Sequence, residues 1–128
     1  MDEIEFTLGL SLLDHTIATS IDNDTLLPVS RTDEFLTTDE RATSWIKIGP
    51  ISTTHEVEWN WYSPQGDLYG YGGPWTVGEV GQRHDWWAAW ATIDIAEFAA
   101  SSLPGLWTVE VFLDGRPLVT EQFTLREP

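Results

Sequence analysis

The C-terminal quarter of the chain constrains the fold most. Trp107, Val109, Val111 and Leu113 occupy every second position, Asp114-Gly115 follows, and Val119, Glu121, Phe123 and Leu125 alternate in return. A period of two sends successive side chains to opposite faces of an extended strand. Asp-Gly between two such runs signals a tight hairpin, because both central turn positions need positive φ and both residues accept it. A chain that closes in this way builds antiparallel sheet.

The same period recurs upstream. Ile4, Phe6, Leu8, Leu10 and Leu12 predict a first strand with one buried face. Residues 14–40 are less regular: Ile17 to Ile21 reads as a short strand, and Phe35-Leu36 as a return to the core. Residues 42–48 form the next strand, closed by Gly49-Pro50. In residues 54–62, Val57, Trp59 and Trp61 oppose Glu56, Glu58 and Asn60, and Ser63-Pro64-Gln65-Gly66 supplies turn chemistry. Residues 67–71 run back as the hairpin partner. Gly72-Gly73-Pro74, with Gly78 and Gly81, reads as the longest loop. Residues 86–95 resume extended structure. Asp94 and Glu97 have capping-box spacing and predict one or two helical turns over 96–102. The sum is one all-β domain over 1–128, an antiparallel β-sandwich of seven to nine strands with one short helical turn. A small closed β-barrel is the alternative that the same strands allow.

The run Pro104-Gly105-Leu106-Trp107-Thr108-Val109-Glu110-Val111, the Asp114-Gly115 turn and the closing Phe123-Thr124-Leu125 resemble the C-terminal hairpin of prokaryotic immunoglobulin-like domains. Val57-Glu58-Trp59-Asn60-Trp61-Tyr62 with its Ser-Pro-x-Gly turn is similar to the same group. The resemblance covers roughly residues 40–126 and implies an immunoglobulin-like sandwich. It says little about activity, since such domains serve as spacers, adhesion modules and accessory domains. Unlike many of them, this chain has no cysteine pair across the sheets.

Composition narrows the partners. Twenty-one acids face six bases, for a net charge of −15, and ten acids against one base fall in residues 1–40. Such a chain is repelled by phosphates, so nucleic acid is not an expected partner. No apolar run reaches the roughly 20 residues of a membrane span. Absence of cysteine excludes disulfides, thiol catalysis and cysteine zinc sites. The acidic start Met1-Asp2-Glu3 is unlike a secretory signal. It places the protein in the cytoplasm if Met1 is the native start, and otherwise leaves a secreted or cell-surface protein.

The catalytic inventory is thin. His55-Glu56-Val57-Glu58-Trp59 begins like a zinc motif but carries Trp at the second ligand position, and it lies on a strand. Asp22-Asn23-Asp24 starts like a calcium loop, but Leu27 stands where that loop needs glycine. No metal or cofactor is expected. Were the chain an enzyme, His84, Asp85, His55 and Glu58 would be its polar groups.

The aromatics are the anomaly. Nine of the sixteen lie within residues 59–90. Trp59, Trp61 and Trp107 alternate as core residues do. Trp86 and Trp87 are neighbours, so a strand cannot bury both. Tyr62, Tyr69, Tyr71, Trp75, Trp86 and Trp87 are therefore the candidate ligand-binding residues. The reading is a non-catalytic interaction module whose aromatic surface binds a protein partner, including a second copy of itself, or carbohydrate. The alternatives are a β-barrel enzyme or carrier with a Trp-lined pocket for an apolar small molecule, and a purely structural assembly subunit.

Overall fold

Alternating residues pair into nine strands across residues 10–128, the part of the chain that this computed structural model describes. They are β1 (Ser11–Ile21), β2 (Pro28–Arg31), β3 (Glu34–Leu36), β4 (Arg41–Gly49), β5 (His55–Tyr62), β6 (Leu68–Val77), β7 (Trp87–Asp94), β8 (Gly105–Leu113) and β9 (Arg116–Arg126). One sheet has the order β2-β1-β4-β7 and the other β3-β9-β8-β5-β6. All pairs are antiparallel except β3 with β9. No described strand belongs to both sheets, so this is a sandwich and the closed barrel is excluded. The Trp-lined barrel lumen falls with it.

The alternation read from sequence becomes the core. Val57, Trp59 and Trp61 of β5 and Trp107, Val109 and Val111 of β8 are all at most 1% exposed. Ile17, Ile46, Ile48, Ala91 and Ile93 bury against them from the other sheet. The indole of Trp107 stacks on Phe123 at 5.9 Å and 14°, and Phe35 meets Phe123 edge-on at 5.6 Å. Offset and edge-on contacts are the favourable ring geometries. The hairpin turn is as expected: Asp114 and Gly115 have φ of 52° and 77°. A register shift beyond Val111 buries Leu118 and leaves Val119 half-buried.

Four expectations need correction or limits. Ile4, Phe6 and Leu8 lie outside the described residues. Ile17 to Ile21 is not a separate short strand but the end of an eleven-residue β1, which a register shift between Leu12 and Asp14 adjusts to β4. The capping box does not form: Phe98 occupies the N-cap of a single 3-10 turn, Ala99–Ser102, with no side-chain cap. The amides of Ile95 and Ala96 donate to the carbonyls of Glu40 and Asp39, which keeps the chain extended past Asp94. Finally, β6 runs on through Gly72-Gly73-Pro74 to Val77. Pro74 is tolerated because β6 is an edge strand, and a register shift between Val57 and Trp59 absorbs the irregularity.

Gly49 ends β4 because a Cβ there would overlap the backbone carbonyl of Asp85. Backbone cannot step aside as a flexible side chain does. Gly49→Ala is expected to lower stability by about 1–3 kcal/mol in chemical denaturation, the usual cost of overpacking. An unchanged midpoint would show that the segment before β7 moves freely.

Candidate functional site

Among the described residues, both sheets end on one side of the sandwich in long edge strands, β6 and β7. Between them lies a cleft of about 640 Å³ lined by Trp61, Tyr71, Trp75 and Trp90, the glycines 70, 72 and 73, and residues 91–93 of β7. Its shape follows from local sequence. Gly70 and Gly72 pair with the inward-facing Trp61 and Trp59, so β6 sends no side chain inward at either place. The Trp75 indole fills part of that space. A Cβ on Gly72 would come within 3.1 Å of its ring, and the indole leans on Trp59 at 5.6 Å and 50°. Trp75 is nonetheless 47% exposed and Tyr71 is 56% exposed. The result is an aromatic cleft with a glycine floor and two strand edges as rims.

The six aromatic candidates do not form one patch. Tyr71 and Trp75 line the cleft. Tyr62 lies with Tyr71 on the outer face of the five-stranded sheet, where the Tyr71 hydroxyl donates to Glu58. The neighbouring carboxylates Glu110 and Glu58 raise the pKa of Tyr62 and Tyr71 respectively. Tyr69 is taken up by packing: it meets Trp107 edge-on at 5.0 Å, and its hydroxyl accepts from the Ala100 amide. Trp87 packs half-buried against the core with His84 edge-on at 5.0 Å. Trp86 turns to the outer face of the other sheet beneath Lys47, 5.1 Å from its ring centroid. Trp61 is a core residue, as its alternation predicts, and also lines the cleft; Trp90 lines it too, and alternation does not single it out. The signal was present in the alternating Gly70 and Gly72, two inward positions without side chains beside a row of indoles.

The polar candidates are dispersed among separate partners. His55 Nδ1 bonds Asp114 at 2.6 Å, His84 Nε2 bonds Glu79 at 3.1 Å, Asp85 pairs with Arg83, and Glu58 accepts from Tyr71. The first three anchor a turn or a strand end, and the last ties β5 to β6.

A second cavity, about 440 Å³, opens where β1 faces β9 and is lined by His15, Arg31, Asp33, Glu121 and Gln122 among others. Glu121 opposes Val109, so it points between the sheets. Its Oε2 lies 2.7 Å from His15 Nδ1, and its Oε1 accepts from Ser44 Oγ at 3.5 Å. Ser44 in turn accepts the Trp59 indole N–H at 3.1 Å. This polar chain joins the sheets, and alternation in sequence gave no hint of it. Burial, the larger effect, raises the Glu121 pKa above its ordinary 4.5, while His15 and Ser44 pull it down. A carboxyl with a raised folded pKa favours folding in its protonated form. Its contribution is therefore lost as pH rises from about 4.5 through the folded value. Glu121→Gln should remove that loss, so the variant gains on the parent as pH rises above about 4.5 in paired thermal melts. Parallel pH profiles would contradict the burial argument.

No protein family matches the chain, and no curated relative does. Among solved structures, the alkylpurine DNA glycosylase AlkC of Pseudomonas fluorescens, bound to DNA containing an abasic-site analogue, aligns with a TM-score of 0.54 and 15% identity. The alignment covers 88% of this chain and 30% of the enzyme, so this chain spans under a third of that protein. An immunoglobulin-like protein of Pseudomonas aeruginosa aligns with a TM-score of 0.53 and 12% identity, covering 88% of this chain and 92% of its own. At these identities the likeness carries fold alone. That fold is the all-β immunoglobulin-like sandwich expected from the hairpin. Among the described residues, no helix is long and apolar enough to cross a membrane.

Proposed function

We propose that residues 1–128 act as one immunoglobulin-like interaction module that binds a polypeptide partner at the aromatic cleft between β6 and β7. The observation that carries this reading is the cleft itself, with the half-exposed Trp75 over a floor without side chains and Tyr71 at its rim. Aromatic residues dominate the centres of protein interfaces, and charged residues are depleted there. Both rims fit that description: Leu68 to Gly78 and Trp86 to Ile93 contain no charged residue, in a chain that is 21% charged. The two strand edges, unpaired among the described residues, also offer backbone donors and acceptors to an extended segment.

Nucleic acid fits less well, although one neighbour in fold is a DNA-bound glycosylase. Arg31, Arg41, Arg83 and Arg126 each lie against a carboxylate, which leaves little basic surface for phosphates.

The test is tryptophan fluorescence during titration with two probes, an extended Thr/Val peptide and a linear glucan oligosaccharide. A saturable response to the peptide supports this reading. A response to the glucan alone transfers the cleft to carbohydrate, whose sugar faces stack on the same rings. No response to either overturns both.

A further inference from the structure

We propose that the polypeptide partner is a second copy of this chain, joined edge to edge through β7 about a twofold axis at Trp90. This rests on the reading of the β6–β7 side as a binding face and names its occupant. Among the described residues β6 and β7 are the edge strands there, and they are not equivalent. β6 carries Gly72-Gly73-Pro74 and two register shifts, features that blunt an edge. β7 carries none of them: Trp87-Ala88-Ala89-Trp90-Ala91-Thr92-Ile93 has no proline, glycine or charge. Its pairing with β4 runs unbroken from Arg41 opposite Asp94 to Ile48 opposite Trp87. A long, regular, uncharged edge is a template for further strand pairing.

The sequence of β7 is also close to symmetric in side-chain size. Antiparallel pairing about Trp90 sets Ala89 against the partner's Ala91, Ala88 against the partner's Thr92, and Trp87 against the partner's Ile93. Each pairing keeps residues on their own face of the sheet, as a joined eight-stranded sheet requires. A twofold contact uses the same patch on both copies and closes on itself. Charge fits at the ends. The partner's Asp94 comes opposite Trp86, whose ring lies under Lys47. The remaining charge opposes association, since each copy carries −15. Salt should therefore strengthen the dimer by screening that repulsion, the reverse of an interface built on ion pairs.

Sedimentation velocity over a concentration series, at about 0.05 M and about 1 M NaCl, reads this directly. The expected result is a monomer–dimer equilibrium that tightens by about tenfold or more at high salt. Because the chain has no cysteine, introduced thiols report register cleanly. Facing Cα atoms in an antiparallel pair are about 4.5–5.5 Å apart, within disulfide range. Ala88→Cys with Thr92→Cys should give an oxidised, covalent dimer, whereas Thr92→Cys alone should not. Thr92→Glu, at an exposed position, should abolish dimerisation while its circular dichroism and melting stay like the parent's. A monomer under every condition overturns the proposal, as does a dimer that resists cross-linking by the double variant or survives Thr92→Glu. If the protein stays monomeric while the Thr/Val peptide still occupies the cleft, self-pairing fails and the binding face stands. If neither occurs, both fail.

Discussion

Replacing Trp75 by alanine is expected to remove most peptide binding while leaving the fold in place. Trp75 is half exposed, and its ring spans from the Trp59 indole to the cleft rim. Truncating a tryptophan at the centre of an interface typically costs about 2 kcal/mol or more, or about thirtyfold in affinity. The stability cost should be smaller, because solvent already reaches much of the ring and β6 remains paired to β5 through its backbone. The comparison is a fluorescence titration of Trp75→Ala against the parent, with a thermal melt of each. Unchanged affinity would move the binding face away from the cleft. A melt lowered as far as that of a core variant would mean that Trp75 is structural, and that its exposure misleads.

Trp59→Ala should show the opposite balance, with a large loss of stability. Trp59 is fully buried on β5 and donates its indole N–H to Ser44, the residue that links it to Glu121. Removing the ring leaves a large cavity between the sheets, and removing the donor weakens the only described link from Glu121 into the core. Tryptophan-to-alanine changes in cores cost about 3–5 kcal/mol, a large share of the stability of a domain this size. Trp59→Phe separates the two effects. It keeps a ring and drops the N–H, so it should cost substantially less than the alanine variant, with a hydrogen-bond share of about 1 kcal/mol. Equal losses from both variants in urea denaturation would place the hydrogen bond above packing.

The hairpin and the central strands were legible because their signals are local. Positive φ at Asp114 and Gly115 is required by the turn itself, and Val57, Trp59 and Trp61 alternate whatever lies around them. The passage through Gly72-Gly73-Pro74 was not legible. Those residues end a central strand, and only the position of β6 at a sheet edge permits them to continue. The candidate site was read in part for a related reason. Composition and the Trp86-Trp87 neighbours showed that one core face could not absorb every ring. Which residues share a cleft depends on strands distant in sequence, and Trp61, Trp75 and Trp90 line one cleft only because β6 and β7 end their sheets on the same side. The link of His15 to Glu121 was hidden in the same way, since it spans the gap between two sheets and residues 106 apart.

The eight indole N–H groups offer the most direct test that the β6–β7 side is the binding face. Three of them are internally bonded and do not line the cleft: Trp45 to the Leu26 carbonyl, Trp59 to Ser44, and Trp107 to the Leu103 carbonyl. In indole proton–nitrogen spectra recorded as the Thr/Val peptide is added, and again as protein concentration and salt are raised, the resonances of Trp75 and Trp90 should move. That of Trp107, on β8 opposite Phe123, should hold still. Stationary Trp75 and Trp90 signals, with shifts confined to other tryptophans, would contradict the account.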